Sequence, residues 1–198
     1  MRLILMRHGM TCGNEQQRYI GKTDEILSPK GRKNVLHFAT DGRYPDVDRI
    51  YVSPMKRCIQ TAELVWPGQK LIRVNGFREC DFGTFEGKHY RDLKGDPYYQ
   101  EWIDSKGTLP FPDGEDVAAF KKRSLRAYGR TICEVQKDYS ESEQESLTVA
   151  MVVHGGTIMA IMEYYAVPKK DYYDYQVENA GGYVVDYEGG WLMNVRPL

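Results

Sequence analysis

The run "LTVAMVV", Leu147 to Val153, constrains this chain more than any other stretch. One hydroxyl and no charge among its residues rule out a solvent-facing strand, and the run is too short for a buried helix. It therefore specifies a strand covered on both faces, the kind found in parallel sheets flanked by helices. The strand ends in His154-Gly155-Gly156 and passes directly into "TIMAIMEYYAV", an amphipathic helical pattern that runs to Val167 before Pro168. The opening of the chain has the same arrangement: apolar Leu3 to Met6, then Arg7-His8-Gly9. Two histidines thus stand at the carboxyl ends of two buried strands, on the rim where open α/β sheets bind ligands.

The remaining pattern alternates strand, loop and helix. Ser28 caps a helix that begins at Pro29 and carries Val35, Leu36 and Ala39 as an apolar stripe to Thr40. Asp48 to Val52 is a second strand, Ser53-Pro54 precedes a helix over Met55 to Val65, and Lys70 to Val74 is a third strand. A long helix is expected over Glu115 to Asp138, the polar run "KDYSESEQES" follows it, and a terminal hairpin is expected over Asn179 to Asp186 and Trp191 to Val195. The expectation is an α/β fold: a three-layer sandwich with a mostly parallel central sheet flanked by helices, in a single domain spanning 1–198. Residues 75–114, rich in glycine, proline and scattered aromatics, form an active-site loop and cap excursion over the end of the sheet. Short helices are expected there near Tyr90 to Leu93 and Tyr98 to Ile103; the simpler alternative is an ordered surface insertion.

Composition narrows the chemistry. With 27 basic and 28 acidic residues the net charge is -1, so no global field draws nucleic acid or anionic lipid, and any anion site must be local. Cys12, Cys58, Cys80 and Cys133 form no C-x-x-C pair and read as reduced thiols. No apolar run is long enough to span a bilayer and no secretory segment opens the chain, so a cytoplasmic protein is expected. The histidines lack metal-ligand spacing, Arg7 would repel a cation beside His8, and the P-loop and dinucleotide fingerprints are missing. Neither metal nor cofactor is expected.

The rim residues suit phosphoryl transfer. Arg7 and Arg57 offer planar guanidinium forks for phosphoryl oxygens, and His8 and His154 offer a nucleophile and a further donor. Glu79, in "FRECDFG", offers an acid for the leaving oxygen. Taken singly, each is an ordinary loop, capping or surface residue; their common position at strand ends is what distinguishes them.

Five segments occur in order, "RHGMTCGN", "GKTDEILSPKG", "VSPMKRCIQTA", "ECDFGTFEG" and "VVHGG". Over nearly its whole length the chain resembles the histidine phosphatase superfamily, also called phosphoglycerate-mutase-like, and within it the bacterial α-ribazole phosphatase branch. The resemblance implies that His8 becomes a phosphohistidine and that Arg7 and Arg57 bind the transferring group. It makes His154 a donor to a phosphoryl oxygen and Glu79 the proton donor to the leaving oxygen. Asn14 would brace the first loop or bind phosphate, and Thr23 would line the pocket.

The activity implied is metal-independent hydrolysis of a phosphomonoester. Within the excursion, the stretch from Arg91 to Gly114 has only Arg91, Lys94 and Lys106 as basic residues, which disfavours a mutase that must hold a second anionic group. Tyr90, Tyr98, Tyr99, Trp102 and Phe111 would stack on a planar leaving group such as that of α-ribazole 5'-phosphate, or would simply pack the excursion. A broad-specificity or sugar-phosphate phosphatase is the alternative; a phosphoglycerate mutase and a non-catalytic phosphate-binding protein stand behind it. The tyrosine-rich segment after Glu163 is expected to be a homodimer surface or a connector over the sheet edge. No feature points to nucleic acid or membrane partners.

Overall fold

The computed structural model describes residues 1–198. The chain runs β1 (Arg2–Arg7), α1 (Cys12–Glu15), α2 (Pro29–Thr40), β2 (Arg49–Val52), α3 (Lys56–Val65), β3 (Leu71–Arg73) and α4 (Pro97–Asp104). It continues through α5 (Val117–Asp138), α6 (Glu141–Ser146), β4 (Thr148–Val153), α7 (Gly155–Tyr165), β5 (Gly182–Glu188) and β6 (Trp191–Pro197). One six-stranded sheet has the order β3-β2-β4-β1-β5-β6. Its first four strands are parallel, and β5 and β6 add an antiparallel pair to the β1 side.

Period-two alternation along β1 builds the three layers. Leu3 and Leu5 pack with Tyr128 and Ile132 of α5 and Ile158 and Ile161 of α7. Ile4 and Met6 pack on the other face with Val35 of α2 and Cys58 and Ala62 of α3. Every residue of β4 is buried, as its composition requires, and each fully buried aliphatic side chain contributes about 1.5–3 kcal/mol. A third cluster, around Cys80, Phe85, Leu93, Phe111 and Phe120, gives the excursion its own small core.

Local signals explain most boundaries. The Ser28 hydroxyl accepts from the Gly31 N–H and Pro29 opens α2. The Asp116 carboxylate caps α5, so that helix begins at Val117 rather than Glu115. Tyr90 to Leu93, expected to be helical, forms turns instead, whereas α4 matches the second expected helix. Within the polar run after α5, Ser140 and Glu143 make a reciprocal capping box that starts α6. The Ser-x-x-Glu signal for it was present in the sequence.

Candidate active site

Strand register brings the two histidines together. Arg7 pairs with Val153, so the next residue of each strand, His8 and His154, emerges at the same edge of the sheet. The His8 N–H donates to the Val153 carbonyl at 3.0 Å, and the two imidazoles meet edge to face with centroids 5.2 Å apart. Gly9 is required by space, because a Cβ there would lie 2.6 Å from Val35 Cγ2. Its N–H donates to Thr61 Oγ1 at 2.8 Å, which ties the first loop to α3.

His8 is buried, with Nδ1 2.7 Å from the Gly9 carbonyl oxygen. A carbonyl can only accept, so Nδ1 carries the proton and the lone pair sits on Nε2. Burial, followed by the nearby Arg57 and Arg7 charges, holds the pKa of His8 well below the usual histidine value and keeps the ring neutral. His154 is neutral for the same reasons, burial first and Arg57 next, and its Nε2 lies 2.8 Å from Ser53 Oγ. The Cys58 thiol lies 3.6 Å from that nitrogen, and burial pushes its pKa up to about 12, so it remains protonated.

Each arginine keeps a buried nitrogen without a hydrogen-bond partner. Arg57, wholly buried at the start of α3, spends Nη1 on the Thr23 carbonyl at 2.7 Å and Nη2 on the Gly21 carbonyl at 2.8 Å. Arg7 donates through Nη1 to the Val177 carbonyl at 2.7 Å. The Nε of both is buried without a hydrogen-bond partner, a costly state that an anion beside them would relieve. Glu79 stands in the cavity wall, its Oε1 accepting from the Cys80 N–H at 2.9 Å. Burial raises its carboxyl pKa, only partly opposed by the Cys80 N–H and the two arginines.

The cavity above these groups measures about 480 Å³, within the range of small-molecule sites. Arg7, His8, Asn14 and Glu79 line it directly, while Arg57 and His154 form the layer beneath. Asn14 braces rather than points freely: its Oδ1 accepts from the Thr11 N–H at 3.2 Å and from Asn179 Nδ2 at 3.2 Å. Thr23 is exposed outside the lining and serves through its backbone carbonyl on Arg57. Of the excursion rings named from the sequence, Trp102 and Phe111 face the cavity, and Phe82 joins them. Tyr90 and Tyr98 project into solvent, and Tyr99 lies behind Trp102, bonded to the Tyr19 hydroxyl. Gly155 has ordinary room for a side chain; the crowded position is Gly156, where a Cβ would lie 2.8 Å from Glu79 Oε1.

Sequence reasoning missed the opposite wall. Tyr172, Tyr173 and Asn179 line the cavity from the connector between α7 and β5. Asn179 Nδ2 also donates to the His8 carbonyl at 3.1 Å. The connector arrives there because β5 pairs antiparallel with β1, a long-range choice that no local motif announces. The tyrosine-rich segment is therefore largely a folded connector, with Tyr175 buried beneath it.

Residues 3–195 match the histidine phosphatase superfamily (branch 1). The chain belongs to this family. It is a hydrolase of the histidine-phosphatase type, and the neighbouring imidazoles and arginines are the arrangement such a phosphohistidine enzyme uses. A Hydrogenobacter thermophilus protein to which phosphoserine phosphatase activity is ascribed is 28% identical over 95% of this chain and 90% of its own. The adenosylcobalamin/alpha-ribazole phosphatase of Salmonella typhimurium is 33% identical over 66% of each chain. The alpha-ribazole phosphatase structure from Shigella flexneri superposes with a TM-score of 0.84 at 24% identity, over 100% of this chain and 96% of that one, and so shares the fold. No helix is long and apolar enough to cross a membrane, and no three His, Cys, Asp or Glu side chains gather into a metal-holding group.

Proposed function

We propose that this enzyme hydrolyses a phosphomonoester with a planar, largely uncharged leaving group, α-ribazole 5'-phosphate being the best candidate. The observation that carries the phosphoryl site is the pair of buried, unpartnered Nε–H groups of Arg7 and Arg57 beside a neutral His8. His8 Nε2 attacks phosphorus as the bond to the leaving oxygen breaks, and Glu79, whose carboxyl pKa burial raises, gives that oxygen its proton. The Gly9 carbonyl, accepting from Nδ1, stabilises the positive ring that results. Glu79, now ionised, takes a proton from water as that water attacks phosphohistidine, which releases inorganic phosphate and restores His8. Arg7, which lines the cavity, holds the charge of the equatorial oxygens directly, and the buried Arg57 guanidinium and the neutral His154 support it from the layer beneath through both steps.

The leaving-group assignment rests on the walls. Aromatic Tyr19, Phe82, Trp102, Phe111 and Tyr172 surround the space above His8, with Gln17 and Asn179 as neutral polar groups. Apart from Arg7, the only cation there is Arg18, and its guanidinium is engaged by Gln16 and the Gly87 carbonyl at 2.7 and 2.6 Å. That leaves only Arg18 Nη2, and no paired guanidinium clamp, for the second phosphate of a mutase intermediate or for a substrate carboxylate. The test compares kcat/KM for α-ribazole 5'-phosphate, phosphoserine, 3-phosphoglycerate and p-nitrophenyl phosphate in EDTA. At least about a tenfold preference for the ribazole ester over the two carboxylated substrates is expected; a preference for either carboxylated substrate overturns the assignment.

A further inference from the structure

Outside the catalytic cavity, and joined to it through an Arg123 Nη2 contact to the Glu79 carbonyl at 3.4 Å, a cleft of about 630 Å³ runs between β3, the edge strand of the sheet, and α5. Arg73 lines one wall, and Arg123, Arg126 and Arg130 line the other from successive turns of α5; Glu134 is the one carboxylate in the lining. In a chain whose charges nearly cancel, four guanidiniums on one concavity are a local concentration. Like charges three and four residues apart weaken a helix, and Glu134, four residues after Arg130, offsets only part of that.

Arg123 is committed elsewhere. It pairs with Glu115 at 2.7 Å and donates to the Gly76 and Arg78 carbonyls at 2.9 and 2.8 Å. Arg73, Arg126 and Arg130 take part in none of the chain's ion pairs. The floor is tightly made: Gly76 approaches α5 so closely that a Cβ would lie 2.6 Å from that of Ala127, and Thr131 beside it is 2% exposed. Asn75 adds an amide at the rim. A concave, positively lined site focuses potential on an anion, and free guanidinium forks match phosphoryl oxygens two at a time.

We propose that this cleft binds a small anion carrying a chain of phosphoryl groups, as in inorganic triphosphate or the triphosphate of a nucleotide. Arg73, Arg126 and Arg130 each hold one phosphoryl group, and the fixed Arg123 closes one end. The cleft is a single short concavity rather than an extended basic stripe, which favours a small anion over nucleic acid.

The test is calorimetric titration of the full chain with inorganic triphosphate, the catalytic pocket having first been filled with orthovanadate. One triphosphate per chain is expected, with affinity that falls as salt rises. The Arg126→Ala/Arg130→Ala double variant should weaken binding at least about tenfold while keeping the wild-type melting temperature, which shows that the helix is intact. ATP binding equal to that of triphosphate assigns the site to the phosphate chain alone, and tighter ATP binding assigns it to a nucleotide. Binding abolished by vanadate, or unchanged in the double variant, overturns the proposal, as does a preference for duplex oligonucleotide over triphosphate.

Discussion

The floor and the walls of the catalytic cavity are built by different means. The floor is fixed by the sheet: His8 and His154 are set by the β1–β4 register, and Arg57 is locked by carbonyls of the loop it supports. The walls come from connections, Trp102 and Phe111 from the excursion and Tyr172, Tyr173 and Asn179 from the segment before β5. Core strands over-determine their ends, so the chemistry of the floor tolerates little movement, while loops can change the leaving group without touching it. Substitutions in the floor should therefore cost kcat, and substitutions in the walls should cost KM and selectivity.

The largest effect is expected at His8, the proposed nucleophile. His8→Ala should lower kcat by at least about 10⁴-fold for every ester, with little change in substrate affinity. Arg57→Ala should cost about 10²–10³-fold in kcat. It should also lower the melting temperature, because the Gly21 and Thr23 carbonyls lose their shared donor. A loss confined to KM at either position would erase the distinction between floor and wall.

Glu79→Gln sharpens the assignment of the acid. For an alkyl phosphate the loss should be about 10²–10³-fold, and for p-nitrophenyl phosphate much smaller, since that leaving group departs without a proton. Because burial raises the carboxyl pKa, activity should fall on the alkaline side as Glu79 ionises, and the glutamine variant should lack that limb. Equal losses on both esters would remove Glu79 from the role of acid.

The walls should answer more gently. Trp102→Ala is expected to raise KM for an aromatic ester about tenfold with kcat nearly intact. Tyr98→Ala, at a ring 64% exposed, should change neither.

The smallest effect is on stability. His8 and His154 are held neutral, with pKa values below the usual 6.5, so below that pH the unfolded chain binds protons that the folded chain refuses. Stability should therefore fall on acidification from about pH 6.5, by up to about 1.4 kcal/mol per pH unit for each histidine until its folded pKa is reached. Melting curves of His154→Asn should show a shallower acid slope than wild type; parallel slopes would mean that His154 titrates normally.

The floor was legible in the sequence because local signals announce it. An apolar run ending in histidine and glycine marks each rim position, and Ser28-Pro29 and Ser53-Pro54 mark the helices behind them. The walls were legible only in part. On α4, Tyr99 and Trp102 are one turn apart and share the inward face, while Tyr98 points away, so composition identified the ring-rich helix but not which ring meets the cavity. Asn179 and Tyr172 carry no signal at all, since their place depends on β5 joining β1 from across the sequence. Thr23 lay in a motif whose use is its backbone, and backbone roles leave little trace in side-chain identity.

The central claim, that His8 carries the phosphoryl group between the two steps, is tested most directly by rapid acid-free quenching during turnover followed by peptide mass spectrometry. A phosphoryl adduct on the peptide containing His8, labile to acid, present in wild type and enriched in Glu79→Gln under slow hydrolysis, is the expected result. Turnover at the wild-type rate with no adduct at His8, or an adduct on another residue, would contradict the account.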